Sequence, residues 1–161
     1  MRLLSPLVVL DDEAFAAEGK EANLNQIEAL CRGEMAATES YARASACPAL
    51  MGVVDALRRV QGSHQYRVDL LIERIHQLGG EPPASSGAWG SLVSLLEGAA
   101  LGVSESMAVA VLARGEEHGL AQYQRELDLL DPDTRDLVAE LILPRQHETN
   151  DAMIELRRRY A

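Results

Sequence analysis

The chain has 161 residues, 47% of them apolar, with 25 Asp and Glu against 15 Lys and Arg. That length suits one domain with a real core, whereas the net charge of -10 repels phosphate backbones and anionic lipid. No stretch approaches the ~18 consecutive apolar residues of a membrane span, so neither nucleic acid nor membrane is an expected partner.

The opening stretch Met1–Leu10 is apolar but runs straight into Asp11-Asp12-Glu13, where export signals avoid acid. Two cysteines, Cys31 and Cys47, form neither a CxxC pair nor a disulfide framework, and a reduced cytoplasmic setting is expected. Residues 1–22 read as an N-terminal tail, and residues 23–161 as the folded domain.

Helix signals then follow in order. From the cap-like Asn23 to about Ala46, residues 24, 27, 31, 38 and 41 form a narrow stripe, closed by Pro48. A second stripe is Val54, Leu57, Gln61, His64, Val68, Leu71, Ile75 and Leu78, stopped at Gly79-Gly80. Residues 79–103 form a Gly-, Pro- and Ser-rich connection that encloses one short apolar piece, Trp89–Leu96, expected as a small helix. A third helix starts at Ser104 and carries Val109, Leu112, Glu116, Leu120, Tyr123 and Leu127 inward. A fourth begins at Pro132 and buries Ile142, Gln146, Thr149, Met153, Leu156 and Tyr160, with a kink expected at Pro144. No strand-period segment of useful length occurs, and the chain reads as all-α.

A self-match organises these helices. Arg32-Gly33-Glu34 with Tyr41 recurs as Arg114-Gly115-Glu116 with Tyr123, and the same shift carries Leu71 onto Met153. Two helical hairpins, about 23–79 and 104–161, therefore look like copies of one unit that pack face to face. Joined by one long crossover, they make a four-helix bundle of ferritin-like connectivity.

The glycine-acid turns with their tyrosines, the Leu78-Gly79-Gly80 stop and the closing Leu156-Arg157 resemble an uncharacterised bacterial family. That family is ferritin-like, rubrerythrin-related and four-helical, and has no assigned function. The resemblance covers about residues 23–158. It implies the ferritin-like fold and leaves activity and substrate open. Ferritin-like proteins often dimerise or form cages, which makes a homo-oligomer through bundle faces an expected assembly.

Glu34 and Glu116 occupy stripe positions where an apolar residue belongs. A buried carboxylate needs a cation, a donor or a proton. Di-iron bundles join such glutamates to Glu-x-x-His on the other two helices. Here Gln61 precedes His64 by three, and Pro144 precedes His147 by three, so neither motif is intact. This leaves two readings. In one, a single metal (iron, manganese or zinc) is held by Glu34, His64, Glu116 and His147, since carboxylate with imidazole suits such ions. In the other, a non-catalytic assembly or partner-binding module has a metal-free polar core. There the glutamates pair with Arg67 or another arginine, or bond to Gln61, Gln146, Tyr41 and Tyr123, and His64 is a satisfied core histidine. Gly33 and Gly115 suggest close helix approach, and Cys31 a small buried thiol near Glu34.

Overall fold

The residue before a proline is driven out of the helical basin, and Cys47, before Pro48, is extended at φ -77°, ψ 122°. In the computed structural model, which describes residues 7–87 and 104–160, helix α1 accordingly runs Leu7–Ala46 and stops there. A 3-10 stretch, Pro48–Val53, turns the chain into α2, Val54–Gln77. The expected stop follows. The N–H of Gly79 (φ +76°) donates to His76 C=O and that of Gly80 to Ile75 C=O, both at 2.9 Å, closing a Schellman motif. Gly80 is needed for a second reason, because a Cβ there would stand 2.6 Å from Leu24 Cδ1.

Helix α3, Glu105–Glu126, is capped by Ser104, whose Oγ accepts from the Met107 N–H at 3.3 Å. A 3-10 turn, Leu127–Leu129, leads to the last helix, α4. It is a run of three pieces: Pro132–Leu137, a π-helical turn Val138–Ile142, and Leu143–Arg159. Among the described residues there is no strand, and the all-α, four-helix expectation holds.

Three details differ from the sequence reading or fall outside it. Most of the expected tail is the start of α1, since residues 7–46 contain no proline and are rich in Ala, Leu and Glu, which favour a helix. Asn23 is consequently not a cap of α1. Near Pro144 the helix is disturbed one turn earlier, as the π-helical turn. There the missing N–H and the ring's clash with the preceding carbonyl are absorbed by wider winding. The short helix expected at Trp89–Leu96 lies outside the described residues.

Packing is closest within the pairs α1/α2 and α3/α4, while α1 and α3 approach each other far less. The core falls into two apolar clusters. One is centred on Leu50, Leu57, Val109, Leu112 and Met153, the other on Ile27, Leu71, Ile75, Val138 and Ile142. Burial of this kind contributes roughly 1.5–3 kcal/mol per large aliphatic side chain.

Three helices are tied at one end by polar contacts. Asp131 caps α4 by accepting from the Thr134 N–H at 3.2 Å. Asn23 Nδ2 donates to Asp131 Oδ2 at 2.6 Å, and the Asp131 N–H donates back to Asn23 Oδ1 at 3.0 Å. From α2, Arg74 reaches Asp131 Oδ1 at 2.9 Å and Thr134 Oγ1 at 2.8 Å. Asp131→Ala is expected to cost about 2–3 kcal/mol, the sum of a lost cap and unpaired neighbours. Asn23→Ala should cost about 2 kcal/mol alone and about half that in the Asp131→Ala background, where the residue-131 N–H still donates to Asn23 Oδ1. A double-mutant cycle in urea checks this.

Candidate functional site

Between the two apolar clusters lies a polar layer, and its two negative residues are Glu34 on α1 and Glu116 on α3, 4% and 2% exposed. The layer is built one neighbour at a time from positions along each helix. His64, on the inward stripe of α2, stands between the glutamates: Nδ1 is 2.7 Å from Glu34 Oε2 and Nε2 is 2.7 Å from Glu116 Oε1. One turn further along α2, Arg67 is completely buried. Its Nε donates to Glu34 Oε2 at 3.0 Å, and its Nη1 donates to Ser63 Oγ at 3.1 Å. Its Nη2 lies 2.6 Å from His64 Nδ1.

On the other side, Gln146 and Thr149 of α4 stand where the shift relating Glu34 to Glu116 carries His64 and Arg67. Gln146 Nε2 donates to Glu116 Oε2 at 3.0 Å and to the Glu116 carbonyl at 3.1 Å. Thr149 Oγ1 donates to Glu116 Oε2 at 2.7 Å. The tyrosines cross over between the halves. Tyr123 of α3 donates to Glu34 Oε1, and Tyr41 of α1 to Glu116 Oε1, each at 2.7 Å. Tyr41 also stacks on the His64 ring, with centroids 5.2 Å apart. All four carboxylate oxygens thus accept from protein donors.

The electrostatics follow from this geometry. Burial alone would raise the Glu34 pKa, but the charges of His64 and Arg67 and the bonds from His64 and Tyr123 overcome it and hold the carboxyl at about 2. Glu116 is likewise lowered, against burial, by the His64, Tyr41 and Thr149 bonds. Burial opposes charge on His64, yet Glu34 and Glu116 raise its pKa above the ordinary value. As imidazolium, the ring donates to both carboxylates. As neutral imidazole, it keeps the Nε2–H bond to Glu116 and accepts at Nδ1 from Arg67. Burial and the facing carboxylates push both tyrosines well above their ordinary value. Burial, followed by the Glu34 charge, raises Cys31 to about 11, so its thiol stays protonated and is a poor soft-metal ligand.

Of the four residues singled out as metal ligands in the sequence, Glu34, His64 and Glu116 meet. His147 does not: it is exposed, and its neighbour Gln146 holds the inward position. Among the described residues no group of three His, Cys, Asp or Glu is spaced to hold a metal ion. The partners named for a metal-free core, Arg67, Gln146, Tyr41 and Tyr123, are all in contact with the glutamates. Gln61 makes no such contact. Thr149 and Ser63 went unnoticed as members, because a hydroxyl on a helix stripe carries little signal of its own.

The layer is reached from one side by a cleft of about 380 Å³ between α1 and α3. Its floor is Glu34, Tyr41, His64, Glu116, Tyr123 and Gln146. Its walls include Leu30, Gly33, Ala37, Val111, Leu112 and Gly119. The glycine at 33 therefore does not mark a tight helix contact, since a Cβ there would find nothing nearer than Gln122 Oε1 at 3.8 Å. The small side chains leave space instead.

Two outcomes follow. Arg67→Met should destabilise the fold by about 3–5 kcal/mol, the usual cost of leaving a buried charge without its partner, measured by urea unfolding. The cluster should also give a two-sided pH profile. The lowered carboxylates stabilise fully above their ordinary pKa of roughly 4.3, and this is lost as pH falls through their folded values, about 2 for Glu34. The raised His64 stabilises fully below roughly 6.5, and this is lost as pH climbs through its folded value. Urea midpoints should therefore hold a plateau between about pH 4.5 and 6.5, and His64→Gln should remove the alkaline fall. In comparisons with known proteins, no family model, no curated protein and no solved structure matches the chain.

Proposed function

We propose that the protein is a non-catalytic, ferritin-like helical module whose buried glutamates are balanced by a guanidinium and an imidazole in place of a metal ion, and that it works by binding a small molecule in the cleft. The observation that carries this reading is Arg67. It is fully buried, bonded to Glu34, and within 2.6 Å of His64. A divalent ion among the same donors would stand beside an arginine that cannot lose its proton. It would also have to displace donors from carboxylate oxygens that are already occupied. Iron, manganese or zinc therefore fits these residues poorly.

The duplicated pattern supports the ferritin-like part. Each glutamate receives two donors from the neighbouring helix of its own hairpin and one tyrosine from the other. This supports reading His64 with Arg67, and Gln146 with Thr149, each pair three residues apart, as standing where a doubled metal site would carry Glu-x-x-His. Catalysis gains no support from the cluster. Its tyrosines and glutamates are held at protonation states far from a switch near neutrality, and both nitrogens of its histidine, His64, are engaged.

Melting with metals tests the reading. Anaerobic addition of Fe(II), Mn(II) or Zn(II) at a few hundred micromolar should leave Tm within about 1 °C. An ion bound at 100 times its Kd would add about 2.7 kcal/mol, or roughly 5–10 °C. A rise of that size that disappears in Glu34→Gln/Glu116→Gln would establish the metal centre instead.

A further inference from the structure

The geometry points to the polarity of the molecule that the α1/α3 cleft accepts: an apolar body with a hydrogen-bond-donating end, an alcohol or an ammonium, and not a carboxylate. This rests on the cluster being a closed, metal-free floor, as proposed above. The argument begins with the protons of the floor. Tyr41 and Tyr123 each have one hydroxyl hydrogen, and both are spent on Glu116 and Glu34. The two Nε2 hydrogens of Gln146 go to the side chain and the carbonyl of Glu116. Both nitrogens of His64 are engaged by Glu34, Glu116 and Arg67. The floor has therefore used up its donors, while its phenol oxygens and Glu34 Oε1, which accepts only from Tyr123, keep spare lone pairs; Glu116 already accepts four donors. A ligand end that donates finds acceptors there. One that only accepts finds no donor on the floor, the nearest being the Gln122 amide and Arg114 in the cleft wall. A carboxylate there would also face two carboxylates in a chain of net charge -10.

The walls set the other half of the specificity. They are mostly aliphatic or glycine, and at about 380 Å³ the cleft is near the small end of the roughly 300–1,000 Å³ that ligand pockets span. A short aliphatic chain fits better than a large cofactor. Arg114 and His118 stand at the cleft on the exposed side of α3, where an anionic head could be held only outside the floor. A second groove, between α2 and α4, is lined by Arg59, Tyr66 and Arg145, with Arg145 4.2 Å above the Tyr66 ring. It offers donors, and binding there would show the opposite preference.

Three probes of matched body test the inference by calorimetric titration of the full chain at pH 7: hexan-1-ol, hexylammonium and hexanoate. The alcohol and the ammonium are expected to bind at least tenfold more tightly than hexanoate, with amide shift changes concentrated on α1 and α3. Gly33→Leu fills the cleft without touching a carboxylate and should weaken both by tenfold or more while Tm holds or rises. Ala37→Leu serves as a second plug. Three results would overturn the inference: no binding of alcohol or ammonium at millimolar concentration, binding untouched by both plugs, or hexanoate binding as tightly as the others. The last result together with a metal-dependent Tm would mean that the floor carries an ion, and the metal-free reading would fall too. Without metal dependence, only the ligand assignment fails.

Discussion

Two carboxylates in the middle of a helical core impose the condition that everything else in this protein meets. In a low-dielectric interior their charge costs several kcal/mol per ion unless opposite charge and hydrogen bonds compensate. The chain meets the condition with side chains drawn from all four helices. Arg67 and His64 bring positive charge from α2, Gln146 and Thr149 bring neutral donors from α4, and each tyrosine reaches across to the glutamate of the other half. Because every helix contributes, the layer fixes the register of the whole bundle, and the two apolar clusters on either side can be filled with ordinary aliphatic residues. The balance is lopsided. Arg67 and His64 both sit on one side, and His64, placed between the glutamates, bonds to each of them.

The same layer explains why α1 and α3 stand apart. On α1 the facing positions hold Gly33 and Ala37, too small to fill the space above Glu34 and Glu116, whereas Gly119 of α3 lets Gln146 approach, since a Cβ there would stand 3.3 Å from its Nε2. A well-packed interior has few voids larger than a water molecule, so a gap of this size over a polar floor is a built feature. It separates the two roles that a buried polar layer can have. The side toward α2 and α4 is saturated and holds the fold, while the side toward the cleft presents lone pairs.

Much of this was legible in the sequence, for a physical reason. A charged residue on an otherwise apolar stripe breaks the helical period, and that break exposed Glu34, Glu116 and His64 before any coordinates. Local chemistry also announced the Ser104 cap and the Gly79-Gly80 stop. What stayed hidden was tertiary. Asn23 looked like a cap for its own helix, yet its amide serves Asp131, far along the chain. The start of α1 was passed over because it lacks a stripe: residues 16–22 are exposed and carry no burial pattern. His147 has the residue type of a ligand, yet it is one step round the helix from Gln146 and faces out. Arg67 was only one candidate among several partners, since nothing local says that an arginine will be fully buried. The cleft was misjudged because glycine signals close approach and open space alike.

The π-helical turn before Pro144 has a consequence for the partner that Glu116 receives. Thr134, Val138, Ile142 and Gln146 are all buried and follow one another at intervals of four. An α-helix advances about 100° per residue, so three such intervals would swing the buried line round by roughly 120°. Wider winding over Val138–Ile142 cancels that drift. With an unbroken α-helix, the side chain aligned with Thr134 would be Arg145, and a guanidinium would arrive where an amide now sits. The backbone irregularity thereby absorbs one extra residue between Thr134 and Gln146 and selects which side chain, an amide or a guanidinium, reaches the interior.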